Sequence, residues 1–301
     1  MNNKVITIFG AGFIGKSLIF KLLQNGYIVN AVCRNPYLRG NLRSMANVGQ
    51  LDICYGDITK SETIESFFEK SDYVVNLVGV LAENSNNKYK KAHVLGPENI
   101  GKLAKKYDIN QLVHVSSIGA DIKSNINYQR TKGEGELVVL ENFKDAAIIR
   151  PSIVFGPDDG FFNVQAKLLK SSPVTPLFGG GKNKFQPIYV NDMVDGIINI
   201  LNDEKYKGQL FEFGGPDIIT MEQVYKFLMT ELKIKRLLIP APIFVASLMA
   251  QFIQLLPNPI ITTDLVKALE IDNVVSGDFK DINSLNIKPK SPYTIVPTYI
   301  K

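Results

Sequence analysis

Tyr128 and Lys132 stand four residues apart in Tyr128-Gln-Arg-Thr-Lys132, a spacing that places phenol and ammonium on one helix face. A neighbouring cation favours the phenolate, so Tyr128 is expected to have a lowered pKa. Such a pair can give or take a proton at a carbonyl or hydroxyl carbon near neutral pH. Ser116 and Ser117 close the apolar run that begins at Gln111 and are placed to hydrogen-bond a substrate oxygen. Tyr128, Lys132, Ser116 and Ser117 are the candidate catalytic residues, and Lys132 can also hold a ribose. The chain has only two histidines, His93 and His114. Neither has a cysteine or carboxylate cluster near it in sequence, so both are assigned to a helix face and a strand, and no metal site is expected.

The second constellation is Gly10-Ala-Gly12-Phe13-Ile14-Gly15, between the apolar run Val5–Phe9 and a helical stretch ending near Gln24. In that context the glycines have separate tasks. Gly10 permits a tight turn, Gly12 lets backbone approach a pyrophosphate, and Gly15 lets the helix pack against the strand, whose neighbouring helix N-terminus then faces the phosphates. The next strand ends in Cys33-Arg34-Asn35-Pro36. A site for NAD(H) usually carries an acid there for the ribose 2′-hydroxyl; Arg34 suits a 2′-phosphate instead. NADP(H) is therefore the expected cofactor, with NAD(H) possible, and Arg39 and Arg43 can assist. Asp57 is placed to reach the adenine, and Asn76-Leu77-Val78-Gly79 ends a strand where the cofactor should cross. Phe13, Ile14, Ile58, Leu77, Val78, Gly79, Lys132 and Pro151 complete the expected cofactor-binding set.

Both sites need a scaffold that brings strand ends and helix starts together. Strands are expected at Val5–Phe9, Tyr27–Cys33, Leu51–Tyr55, Tyr73–Val78, Gln111–Ser117 and Ala146–Phe155. Helices are expected at Lys16–Gln24, from about Tyr89 to Tyr107 and at Tyr128–Glu141. This alternation predicts an α/β protein with a Rossmann-type doubly wound parallel sheet. After Gly156-Pro157 the alternation weakens, so residues 1–157 are read as the dinucleotide-binding domain and 158–301 as a smaller lobe with some segments returning to the sheet. The 301 residues, 45% of them hydrophobic, suit an ordinary globular chain. The net charge of +5 is compatible with a phosphate-bearing ligand, and no basic run with interleaved aromatics points to nucleic acid. The two cysteines, Cys33 and Cys54, read as buried thiols in a reducing compartment. No signal peptide is expected. The most apolar segment, Leu237–Leu256, is interrupted by Pro240 and Pro242; its helix, from Ile243 to Leu256, is too short to span a bilayer. It is read as a core helix of the small lobe, with a membrane-surface or partner face as the alternative.

These motifs resemble the short-chain dehydrogenase/reductase superfamily in its extended and atypical branches. Ser116-Ser-Ile-Gly-Ala-Asp121, Tyr128-Gln-Arg-Thr-Lys-Gly-Glu-Gly-Glu136 and Arg150-Pro-Ser-Ile-Val-Phe-Gly-Pro157 carry the likeness. So do Gly181-Lys-Asn-Lys-Phe-Gln-Pro-Ile-Tyr-Val-Asn-Asp192, Phe213-Gly-Gly-Pro216, Ile261-Thr-Thr-Asp-Leu-Val-Lys267 and Asp272-Asn-Val-Val-Ser276. Within the superfamily they are similar to the NADPH-binding accessory subunits of respiratory complex I and their bacterial relatives. The resemblance implies tightly held NADPH with little turnover, association with respiratory-complex subunits, and a place in the bacterial cytoplasm or on the matrix side, peripheral to the membrane. Because Tyr128 is kept, an active NADP-dependent reductase or dehydrogenase on a small carbonyl or hydroxyl substrate stays open. A sugar-nucleotide epimerase or dehydratase is disfavoured, since Ile118-Gly119-Ala120 stands where Tyr-Gly is usual.

Overall fold

The computed structural model describes residues 4–83, 88–253 and 262–301. The chain divides into two compact units. The first comprises Met1–Arg150 with Met193–Phe211, and the second Pro151–Asp192 with Glu212–Lys301.

In the first unit the strands are β1 (Val5–Phe9), β2 (Ile28–Cys33), β3 (Leu51–Tyr55), β4 (Tyr73–Asn76), β5 (Gln111–Val115) and β6 (Ala147–Pro151), whose last residue is already counted with the second unit. The helices are α1 (Phe13–Gln24), α2 (Glu65–Phe68), α3 (Gly96–Lys106) and α4 (Asn127–Asn142). The sheet is eight-stranded, and its strands here run in the order Leu210–Phe213, β6, β5, β4, β1, β2, β3. Ile6 pairs in parallel with Val29 on one side and Tyr73 on the other. The direction of winding therefore reverses between β1 and β4, where loops diverge and leave a crevice at the strand C-termini. Every residue of β4 and β5 is buried, the polar Asn76, Gln111 and His114 included, as befits central strands of a parallel sheet. Phe9, Val32, Phe68, Val74, Ile100 and Ile148 share one core on a single side of the sheet. Residues 193–211 join this unit through an Asp195–Lys21 ion pair and the Tyr27 hydroxyl, which donates to Asn202 Oδ1 at 2.6 Å.

Several boundaries differ from expectation. α1 begins at Phe13, directly on the glycine turn, rather than at Lys16. The sixth strand stops at Pro151, whose ring removes a ladder donor; Val154–Phe155 instead pairs in parallel with Ile188–Tyr189. The cysteines are half-buried free thiols, not fully buried ones, because the β2–β3 end of the sheet is an edge.

The second unit is built on the helices Phe162–Ser171 and Met221–Glu231, with Phe155, Phe162, Leu169, Leu177, Val224 and Leu228 in its core. Thr220 starts the second helix with a reciprocal capping box to Gln223, which satisfies two backbone donors at once. The apolar segment Leu237–Leu256 is two elements. Leu237–Ala241 is a strand parallel to Val174–Phe178, and a helix covers Ile243–Ile253; residues 254–256 lie outside the described residues. Ala246 and Ala250 pack against Val266, Phe178 and Ile243. Phe244, Leu248 and Met249 on the same helix are 66%, 53% and 42% exposed, so only the small-residue stripe is core. No helix among the described residues is long and apolar enough to cross a membrane.

Candidate functional site

The glycine turn is hooked to the sheet by the Gly10 N–H, which donates to the Val32 carbonyl at 3.0 Å. Gly10 has φ +105°, a region that side-chain-bearing residues avoid. A Cβ on Gly15 would lie 3.0 Å from the Gly10 carbonyl carbon and closer still to its oxygen, so glycine there lets α1 start flush against the end of β1. Gly12 is different. Its backbone is ordinary (φ −82°, ψ −151°), and a Cβ would meet nothing within 4 Å. The fold itself does not need glycine at position 12. What the missing side chain leaves open is the space before the α1 N-terminus, whose first turn carries no acidic residue. This cradle fits the pyrophosphate of a dinucleotide.

The other expected cofactor residues lie around this turn in differing states. Phe13 and Ile14 are half-buried in the first turn of α1. Arg34, Arg39 and Arg43 are exposed beyond the end of β2, and none makes an ion pair among the described residues. The Asp57 carboxylate accepts from the Thr59 N–H at 3.0 Å and the Thr59 hydroxyl at 2.8 Å, closing a local turn. Ile58 is buried in the core. Leu77 and Val78 are half-buried and Gly79 exposed beyond β4, with the Val78 N–H donating to Asn76 Oδ1 at 3.1 Å. Pro151 belongs to the second unit and is buried there.

Two strand ends and one helix build the other half of the site. Ser116 and Ser117 follow β5, both buried; the Ser116 hydroxyl has no hydrogen-bond partner among the described residues, and the Ser117 hydroxyl lies against the Tyr128 phenol. α4 carries Tyr128 and Lys132 at its start. The Lys132 ammonium is buried and donates to the Val115 carbonyl at 3.1 Å. A Cβ on Gly79 would come within 3.3 Å of that nitrogen, so the loop after β4 and Lys132 are adjacent. Further along α4, Glu136 takes two hydrogen bonds from Arg150, at 2.9 and 2.6 Å, a forked pair that fixes the helix against β6.

Burial governs the acid–base balance. It lowers Lys132 to about 8, against a smaller opposing effect of the Glu136 carboxylate. Burial raises the Tyr128 phenol, partly opposed by the nearby Ser117 hydroxyl. The expected lowering by Lys132 is thus corrected: the ammonium is directed at the Val115 carbonyl, and desolvation dominates. Tyr128 is therefore protonated at neutral pH. His93 and His114 are both pushed down to about 3 by burial first and the Lys132 charge second, so both are neutral.

Sequence reasoning named Asn76 only as the start of the run that ends β4, placed His93 on a helix face, and gave Thr131 no role. Asn76 Nδ2 lies 3.0 Å from His114 Nδ1, and His93 contacts Thr131 of α4. The i, i+4 pair Tyr89–His93 was a usable signal, since the two rings stack at 5.3 Å.

The family profile described as "NAD dependent epimerase/dehydratase family" matches residues 6–214. The mouse (Mus musculus) mitochondrial NADH dehydrogenase [ubiquinone] 1 alpha subcomplex subunit 9 is 31% identical over 288 residues, covering 95% of this chain and 76% of that protein. The Neurospora crassa mitochondrial NADH-ubiquinone oxidoreductase 40 kDa subunit is 27% identical, covering 94% and 75%. A UDP-glucose 4-epimerase structure from Thermotoga maritima superposes with a TM-score of 0.72 at 18% identity, over 98% of this chain and 97% of that one, which speaks to the fold alone. The chain belongs to the NAD dependent epimerase/dehydratase family and, within it, to the group of the complex I alpha subcomplex subunit 9 proteins.

Proposed function

We propose that this chain holds NADP(H) tightly in its first unit and serves as an accessory component of a respiratory complex I, with little or no turnover. The observation that carries the cofactor half is the cradle at Gly12, open to a phosphate and closed to nothing in the protein. The Gly10–Gly15 turn and the α1 N-terminus would hold the pyrophosphate, Arg34 the 2′-phosphate, Lys132 a ribose, and Leu77–Gly79 would run alongside. When bound, the dinucleotide supplies a hydride donor or acceptor. The chain's own residues orient it, keep water from it and hold a proton on the Tyr128 hydroxyl.

The partner half is supported by the likeness along 95% of the chain to a named complex I subunit. The apolar face Phe244, Leu248 and Met249 is where we place contact with other subunits or with the membrane surface, on the cytoplasmic or matrix side. A second reading, an active NADP-dependent reductase, is favoured by one observation: the unpartnered, buried Ser116 hydroxyl, next to a Ser117 that lies against the protonated Tyr128 phenol, suits a substrate oxygen. The test joins both. Mass spectrometry identifies the ligand released from purified protein, and NADPH oxidation is followed against aldehydes, ketones and quinones. Released NADP(H) with turnover far below about one per second supports the scaffold reading. Turnover at that rate or above establishes the reductase, and absence of any dinucleotide affinity overturns both.

A further inference from the structure

Lys90–Leu95 form a π-helical stretch running directly into α3. Such stretches are rare and concentrate where a side chain must be delivered to a special place. The side chain delivered is His93, 1% exposed. Its Nε2 accepts from the Val80 N–H at 3.0 Å. A neutral ring then carries its proton on Nδ1, which donates to Thr131 Oγ1 at 3.0 Å. Thr131 is free to accept, because its own hydroxyl proton goes to the Asn127 carbonyl at 2.8 Å or the Tyr128 carbonyl at 3.1 Å. The ring also stacks on Tyr89 and meets the Tyr128 ring edge-on at 5.5 Å. Three things thus converge on one imidazole: the loop after β4, the start of α4, and the phenol itself.

We propose that His93 is a positioning residue that ties the loop Leu77–Val80 to the turn of α4 bearing Tyr128 and Lys132, so that the nicotinamide half of a dinucleotide meets a prebuilt wall. This rests on the dinucleotide reading above. On that reading the adenosine half would lie beyond β2, where Arg34 stands, so His93 would act on one half of the ligand only. That selectivity separates positioning from a general contribution to stability.

The test uses the full chain, with His93→Phe, His93→Gln and Thr131→Val, and two probes titrated calorimetrically: NADPH and its adenosine fragment 2′,5′-ADP. Phenylalanine keeps the ring contacts but leaves the Val80 N–H without an acceptor; it should weaken NADPH at least about tenfold and change 2′,5′-ADP less than about twofold. Glutamine, which can accept from Val80 and donate, should recover most of the NADPH affinity. If His93→Phe does not fold, Thr131→Val removes the other anchor and should show the same split. Equal weakening of both probes, or of neither, overturns the proposal. A parent protein that binds neither probe refutes the cofactor reading itself.

Discussion

Replacing Gly12 by valine and Gly15 by alanine should produce opposite failures, although the residues are three apart in one turn. At Gly12 the backbone is already in a conformation that any residue adopts, and a Cβ meets nothing within 4 Å. Valine there should change the stability of the ligand-free protein by no more than about 0.5 kcal/mol, the range of an unstrained surface substitution. Its methyls would stand where a pyrophosphate must approach, so NADPH affinity should disappear. At Gly15 a single methyl would be 3.0 Å from the Gly10 carbonyl carbon and nearer to its oxygen. Both atoms belong to a turn held by the Val32 carbonyl, so α1 must move off β1. Overpacking of this kind costs about 1–3 kcal/mol, read as a loss of roughly 2–10 °C in melting temperature. The assay is thermal unfolding of the ligand-free proteins beside NADPH titration by fluorescence. Retained NADPH affinity in Gly12→Val would put the phosphates elsewhere. A Gly12→Val protein melting as low as Gly15→Ala would show that position 12 is structurally constrained after all.

Three further outcomes follow from the site. Arg34→Ala should weaken NADPH by about 1.5–3 kcal/mol, the range for hydrogen bonds to charged groups, and leave NADH nearly unchanged; equal losses for both cofactors in parallel titrations would remove the 2′-phosphate assignment. His93 and His114 have folded-state pKa values of about 3 against about 6.5 unfolded. The unfolded chain therefore takes up protons first, and stability is intact above pH 6.5 and lost as pH falls from there toward 3. At pH 5 each histidine should contribute ~2 kcal/mol of that loss, and urea unfolding at pH 7 and 5 should show a smaller difference in His114→Gln. Lys132→Met should weaken NADPH while Tyr128→Phe binds and melts nearly like the parent; as pH rises through about 8 the parent should lose affinity with the ammonium, and Lys132→Met should titrate flat.

The fold was legible where local pattern and tertiary role coincide. β4 and β5 read as strands from their central apolar residues, which are buried, and Gly10 and Gly15 each answer a demand that lies within one turn of chain. Legibility ended where a residue's task depends on a distant partner. Residues 193–211 look like part of a second lobe by position, yet Asp195 and Asn202 find their partners at Lys21 and Tyr27, pairings that no local periodicity announces. Pro151 closes β6 two residues after Ile149, and the extended run that continues to Phe155 has a different neighbour, Ile188–Tyr189.

The candidate site shows the same division at the scale of single atoms. Spacing placed Tyr128 and Lys132 on one face of α4, but spacing does not say where an ammonium points. The Val115 carbonyl takes it, so the electrostatic lowering expected for the phenol is replaced by desolvation of the opposite sign. His93 was hidden for a related reason. Its i, i+4 spacing from Tyr89 announces the ring stack, but not the bonds to Val80 and Thr131, which come from other elements. The residues that act by spacing within an element were thus open to sequence reasoning, and those that act by joining elements were not. A protonated Tyr128 set against Ser117 and the unpartnered Ser116 hydroxyl belongs to the second kind. Its chemistry depends on how β5 and α4 meet, which is why the choice between scaffold and reductase rests on measured turnover and not on the presence of the motif.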